Sequence, residues 1–349
     1  MVAEALGVPL MPNKDENEVP LILGLQPSAL VDHLARVDSS LLDHIPGERG
    51  GSSPVAIEEL ENILSEVKTR FLPSITDLDR IKTIAGGSVA NTIRGLASGF
   101  GIKCGIIGAC GNDEQGQLFV HNMTCNDVNL SRLMTKTGPT AQCVCLVDSL
   151  GNRTMRPCLS NAVRLQADEL TKETFRGSKW IAKQEGVYVS LDLASFEMVR
   201  DFRAPLLKLL ESGDVDLCFA NEDEATEVVR GNLDTGPEAA LGYLAKHCQW
   251  AVVTLGSSGC IAKHGKEIVR VAAIGDGKAS DATGAGDLFA SGFLYGLVKG
   301  LSLEDCCVMG CCSGGSVIRS LGGEVSPENR QWMYKQMQSK GLPIPDLCN

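Results

Sequence analysis

The residues best placed to do chemistry lie in the run Asp281-Ala-Thr-Gly-Ala-Gly-Asp287-Leu-Phe-Ala-Ser-Gly-Phe. There a turn of small residues opens into an apolar pattern with Phe289, Phe293 and Leu297 at helical spacing. The backbone N–H groups of Gly284, Ala285 and Gly286 are expected unpaired at the start of that helix, where the helix dipole favours an anion. Glycines lack the side chains that would keep a phosphate away from the backbone. A carboxylate at the same place would repel that phosphate, so Asp287 needs a role. It suits a general base that takes the proton from a hydroxyl about to attack the phosphate. On its own, Gly-Ala-Gly-Asp reads equally well as a helix start with Asp287 facing the dipole.

A second glycine-centred stretch is Gly86-Gly87-Ser88-Val89-Ala90-Asn91-Thr92. Asn91 follows Gly87 by one helical turn, so its amide can face the same cavity as the glycine backbone. An amide beside open backbone groups suits a polyhydroxylated ligand. Read alone, this stretch is also an ordinary capped helix start. No Walker A pattern occurs, which excludes a P-loop nucleotide site.

The elements that must position these turns follow from the hydrophobic pattern. The run 20–25 reads as a buried first strand, and 104–108 as another. Helical periodicity covers 56–71, with Ile57, Leu60, Ile63, Leu64 and Val67 on one side, and 89–100 reads as a second helix. The run 142–147, followed by Ser149-Leu-Gly-Asn, reads as a hairpin arm. Further short apolar runs at 186–191, 216–220 and 250–255 each lead into a polar or glycine-bearing turn, with helical patterns between them. Strand, polar turn, helix and strand in series predict an α/β fold with a parallel sheet wrapped by helices, its ligands outside the carboxyl ends of the strands. The stretch 47–53 is a glycine-rich loop, and residues 1–19 are expected to form a flexible N-terminus.

Composition narrows the class. Among the 349 residues, 44% are hydrophobic and 21% charged, as in an ordinary globular protein. The net charge of −11 argues against gripping nucleic acid through its phosphates. No apolar stretch has the length of a membrane span, and the first residues lack the pattern of a secretory leader. Fourteen cysteines in so long a chain point to reduced, buried thiols and a cytoplasmic protein. Cys306, Cys307, Cys311 and Cys312 lack zinc-knuckle spacing and read as packing groups, as do Cys143 and Cys145 on one strand face. The five histidines form no ligand spacing.

Taken together, GGSVANTIRGLA and DATGAGDLFASGF resemble the two signatures of the ribokinase/PfkB carbohydrate kinase family, in the right order. Gly108-Ala-Cys-Gly-Asn-Asp113-Glu-Gln-Gly116 resembles that family's GxxGxDxxG strand-loop, Asn221-Glu-Asp-Glu224 its NxxE motif, and Thr254-Leu-Gly256-Ser-Ser-Gly259 its nucleotide turn. The resemblance runs from about residue 20 to 330. It implies a ribokinase-like three-layer sandwich, with a mainly parallel central sheet and a small β lid, in one kinase domain over 20–349. The lid is expected from about 28–40 and 120–160.

By the same resemblance, Asp287 is the base, and the amides of Gly284, Ala285 and Gly286 form the anion hole. Asp32, Gly86, Gly87 and Asn91 hold the acceptor, although the spacing from Gly24 to Asp32 is looser than usual. Thr254, Gly256 and Gly259 line the ATP site, and Asn221 and Glu224 organise Mg2+, Glu224 through water. Asp281 and Thr283 match positions that hold K+ in many members, and Arg153 in Gly151-Asn-Arg-Thr resembles a recurring turn of the lid. The arrangement from Leu25 to His33, with the later Val37-Asp38 and the insert at 50–75, resembles the adenosine-kinase branch. The implied activity is ATP-dependent phosphorylation of a primary hydroxyl on a ribonucleoside or ribosyl compound. Phosphorylation of a free sugar such as ribose or fructose is the alternative, as is a catalytically silent relative acting as a binding partner. The family's pattern allows a monomer or a homodimer.

Overall fold

The computed structural model describes residues 19–70, 81–160, 163–178, 188–275 and 279–345. Residues 1–18 of the expected flexible stretch 1–19, residue 71 of the expected helix 56–71, residues 71–75 of the insert 50–75 and residues 186–187 of the expected strand 186–191 lie outside these.

Twelve strands are described: β1 (Ile22–Ser28), β2 (Leu30–Arg36), β3 (Ile81–Gly86), β4 (Cys104–Gly111), β5 (Leu133–Lys136), β6 (Ala141–Val147), β7 (Arg153–Cys158), β8 (Ser190–Asp192), β9 (Leu217–Asn221), β10 (Trp250–Thr254), β11 (Cys260–His264) and β12 (Glu267–Val271). β1, β4 and β5 form a wholly parallel three-stranded sheet in the order β1-β4-β5. A five-stranded sheet has parallel β8, β9 and β10, continued by antiparallel β11 and β12.

Both faces of the central strands β4, β9 and β10 are buried, which is why they read as continuous apolar runs. In β9, Leu217 and Phe219 enter one core while Cys218 and Ala220 enter another; in β10, Val252 opposes Ala251 and Val253 in the same way. The first core also takes in Ile22 and Ile106 of the parallel sheet, together with Phe289 and Phe293 of helix Ala285–Val298. The second packs the sheet against helices Glu222–Val228 and Pro237–His247. Helix, sheet and helix therefore form three layers. Cys306, Cys307 and Cys312 are fully buried on helix Leu303–Val317 within the first core.

The third sheet has the order β3-β2-β6-β7. Only Ala29 separates β1 from β2, so the chain steps directly from the parallel sheet into this one. Of the segments expected to form a lid, 28–40 and 141–158 supply strands here, whereas 120–125 belongs to helix Glu114–Cys125 and β5 to the parallel sheet. β3 completes the sheet from outside those segments, pairing Ile84 with Asp32. Its sequence, Ile-Lys-Thr-Ile-Ala-Gly, is too short and mixed to announce a strand without its partner.

One face of this sheet carries Leu34, Ile84, Cys143 and Cys145. The other carries Ala35, Val144 and Leu146, covered by Leu60, Ile63 and Val67 of helix Ile57–Arg70. Each of those three helix residues is at most 4% exposed, and burial of such a side chain stabilises by about 1.5–3 kcal/mol.

The helix expected over 89–100 is instead α-helical over Ser88–Arg94 and widens to a π turn at Gly95–Gly99. Ser98 Oγ donates back to Arg94 O at 2.9 Å, a local bond that competes with the regular ladder.

Candidate active site

Asp32 lies in β2, opposite Ile84 on one side and Cys143 on the other, and is 5% exposed. Its carboxylate rests against the backbone at the end of β3: a Cβ on Gly86 would stand 2.2 Å from Asp32 Cγ. That close approach is the physical reason for glycine at this position. Gln26 meets the same turn from β1. Its Oε1 accepts from Ala90 N at 2.9 Å and its Nε2 donates to Gly86 O at 3.2 Å. Gln26 was not singled out by sequence; its signal is a polar residue inside the apolar run of β1.

Gly87 caps helix Ser88–Arg94, which brings Ser88 and Asn91 to the turn of Gly284, Ala285, Gly286 and Asp287. Asn91 Nδ2 donates to Asp287 Oδ2 at 2.8 Å, and Ser88 Oγ donates to Asp287 Oδ1. Behind the carboxylate, Ser291 Oγ lies 2.9 Å from both Thr92 O and Asp287 O, joining the two helices. Ser88 was likewise missed, being one of many serines near a helix start.

Gly284 takes the left-handed conformation, φ 78°, to turn the chain into helix Ala285–Val298. Of the three amides read as anion donors, that of Ala285 is used internally, donating to Ala282 O at 3.2 Å. Among the described residues, no backbone acceptor is found for the amides of Gly284 and Gly286. Gly286 is exposed, and a Cβ added there would meet nothing within 4 Å among the described residues outside its own stretch of helix.

Gly286 borders a cavity of about 350 Å3, also lined by Thr254, Gly256, Gly259, Phe289 and Ile318. Thr254 ends β10 in register with Asn221 at the end of β9. Asn221 and Glu224 form a reciprocal cap: Glu224 N donates to Asn221 Oδ1 at 2.9 Å, Asn221 N to Glu224 Oε2 at 2.8 Å, and Asn221 Nδ2 to Glu224 Oε1 at 2.7 Å. Asp192, at the end of neighbouring β8, is a further carboxylate on this edge. It was not singled out because it lies in Ser-Leu-Asp, a strand end without a glycine turn.

These carboxylates shape one another's charge. Burial pushes Asp32 up to about 7, Arg94 opposes it, and Asp287 adds to it. Burial and then Asp287 raise Asp192 to about 7, and burial and then Asp192 raise Glu224 to about 8. Burial also raises Asp287, against its bonds from Ser88 and Asn91 and the nearby charges of Arg153 and Arg94. Arg153, on β7, donates from Nη1 to Ala282 O at 2.8 Å and lowers all four carboxyls.

Asp281 is fully buried; its Oδ1 accepts from Thr283 N at 2.8 Å and its Oδ2 from Gly322 N at 2.7 Å, so it staples the loop before the helix. Thr283 Oγ1 is buried without a hydrogen-bond partner among the described residues. Asp113 caps helix Glu114–Cys125, accepting from Gly116 N, and ties it to Thr140 N; both distances are 2.9 Å.

Two glycine turns thus meet at one carboxylate, with the Asp32 carboxylate on one flank and a cavity bordered by a helix N-terminus on the other. The model of the pfkB family carbohydrate kinase matches residues 55–330. The chain belongs to this family.

Among solved structures, this PfkB kinase is similar to a probable sugar kinase from Rhizobium etli CFN 42, at 29% identity and a TM-score of 0.80, covering 93% of this chain and 100% of that one. It is equally close in fold to adenosine kinase from Sinorhizobium meliloti, at 28% identity and a TM-score of 0.80, covering 91% and 99%. Adenosine kinase 2 of Arabidopsis thaliana is 25% identical over 307 residues, 74% of this chain and 86% of that protein. The fold is ribokinase-like and the protein is a phosphotransferase acting on a small molecule of the sugar or nucleoside class. Membership of the family implies ATP as phosphoryl donor, used with a divalent metal. No described helix is long and apolar enough to cross a membrane.

Proposed function

We propose that this PfkB kinase transfers the γ-phosphoryl group of ATP to a primary hydroxyl of a ribonucleoside or ribosyl compound, with Asp287 as the base. The observation that carries the reading is the setting of Asp287. Its carboxylate is held by Ser88 and Asn91 at the head of a helix whose N-terminus borders the 350 Å3 cavity. A hydroxyl held by Asp32 and Asn91 gives its proton to Asp287 as its oxygen attacks the γ-phosphorus in line. The bond to the leaving β-γ bridging oxygen breaks as ADP departs. The amides of Gly284 and Gly286, with the Arg153 guanidinium, stabilise charge on the transferring group. Thr254, Gly256 and Gly259 line the nucleotide cavity. Leaning to a ribosyl acceptor rests on the 28% identity to an adenosine kinase over 91% of the chain and on the step from Gln26 to Asp32.

Asp192, raised by burial and the charge of Asp287, and Glu224, raised by burial and the charge of Asp192, fit a divalent cation. We assign Mg2+ there, held by Glu224 through its water shell; when bound it offsets the charge of the triphosphate. Asp281, with the unpartnered Thr283 Oγ1, fits K+ beside the helix head. The four-stranded sheet serves as the lid. Its outer face is already covered by helix Ile57–Arg70, which favours a monomer over a lid-paired dimer. Among the described residues no disulfide joins the cysteines, in keeping with a reducing cytoplasm.

The deciding experiment offers ATP, Mg2+ and a panel of adenosine, other nucleosides, ribose and fructose to the full chain, measuring ADP release and the phosphorylated position by NMR. Turnover of nucleosides at the primary hydroxyl is expected. Turnover confined to free sugars overturns the substrate class, and ATP binding without turnover of any acceptor in the panel favours a silent binding relative.

A further inference from the structure

Arg94 is 2% exposed and among the largest fully buried side chains of the protein. Its guanidinium donates to four neutral oxygens: Nη1 to Ala85 O at 2.8 Å and Asn122 Oδ1 at 2.7 Å, Nη2 to Asn91 Oδ1 at 2.7 Å and Gly323 O at 3.0 Å. A buried cation with neutral partners is costly unless opposite charge lies near. Here that charge is Glu324, Asp32 and Asp287, all of which act on Arg94.

We propose that Arg94 is a positioning residue for phosphoryl transfer, fixing the Asn91 amide so that its NH2 end, and not its carbonyl end, faces Asp287. This rests on the reading of Asp287 as the base. The Asn91 side chain is caught between two groups of opposite demand. Its Oδ1 lies 2.7 Å from a guanidinium donor and its Nδ2 lies 2.8 Å from a carboxylate acceptor. Turning the amide over would set oxygen against carboxylate and NH2 against guanidinium, breaking both charge-assisted bonds. The same guanidinium binds Ala85 O, one residue before the glycine pair, and Gly323 O, one residue beyond the amide that holds Asp281. A single planar fork thus holds the acceptor turn, the Asn91 amide and the loop under the helix head in register.

The charge acts in the same direction as the geometry. Arg94 and Arg153 favour the ionised form of Asp287, while Asp32, Asp192 and Glu224 are the carboxylates whose charge couples to it.

The test uses the full chain labelled with 13C at aspartate Cγ, the Asp287 signal being identified by its loss in Asp287→Asn. Arg94→Met is expected to raise the midpoint of the Asp287 titration and to lower kcat with adenosine by roughly 10- to 100-fold, with KM for ATP little changed. Arg94→Lys keeps the charge without the fork, so the midpoint stays near wild type while kcat still falls. Asn91→Ala should cost less than about twofold once Arg94→Met is present, because one contact has already been lost.

A folded Arg94→Met protein, judged by circular dichroism and ATP binding, with an unmoved midpoint and additive losses overturns the proposal. Should Arg94→Met fail to fold, Arg94→Lys decides it: wild-type kcat, or with no adenosine turnover an unaltered Asn91 side-chain amide signal in 15N spectra, overturns it. Failure of the base reading shows separately, as retained turnover in Asp287→Asn.

Discussion

Asn91 and Asp287, 196 residues apart in the chain, meet through a 2.8 Å hydrogen bond from amide to carboxylate. That bond joins the starts of two helices, one from each glycine turn, and makes Asp287 the point where the two turns meet.

Asp287→Asn keeps the shape and removes the base. Turnover is expected to fall by about 10²–10⁴-fold, while ATP affinity, measured by calorimetry, holds or improves because a carboxylate near the phosphates is gone. Near-normal turnover would refute the proton-taking role.

Gly286 and Gly86 should respond differently to an added side chain. At Gly286 a new Cβ meets nothing within 4 Å among the described residues outside its own stretch of helix, so Gly286→Val folds with a near-native Tm but crowds the cavity and raises KM for ATP. At Gly86 the new Cβ falls 2.2 Å from Asp32 Cγ, so Gly86→Ala destabilises by about 1–3 kcal/mol in denaturant titration and displaces Asp32. Equal Tm losses for the two variants would contradict the placement of the turns.

The raised carboxyls make a pH prediction with a definite sign. Asp32 and Asp192 rise from 3.8 to about 7, and Glu224 from 4.5 to about 8, so over this window the folded state binds more protons than the unfolded state. Stability of the ligand-free protein should therefore fall as pH rises from about 4 to 8. Mg2+ and ATP should return part of the loss, so their effect on Tm is expected to be larger at pH 8 than at pH 6. A ligand-induced rise in Tm that is equal at both would count against a cation at Asp192 and Glu224.

Replacing K+ by choline at constant ionic strength is expected to lower kcat, and Thr283→Val to blunt that response by removing the unpartnered hydroxyl. Identical rates in both salts would remove the monovalent site.

Local backbone demands are written locally, and those could be read directly. The glycines of the two turns and the apolar strands buried on both faces each follow from a few adjacent residues. The amide of Ala285 was misread there, because its partner, Ala282 O, lies in the same turn and only the folded conformation shows the bond. Other features depend on contacts between distant segments. β3 becomes a strand through β2, and Gln26 serves the first glycine turn from 60 residues away. Arg94 looks like any helical arginine until Gly323, 229 residues on, closes over it. Asp192 is pushed up from the ordinary carboxylate range only by the burial and the Asp287 charge that the folded sheet edge brings to it. The residue types thus announced two glycine turns and the Asp287 carboxylate, while packing selected the partners that hold that carboxylate, because burial and long-range hydrogen bonds exist only once the strands and helices have met.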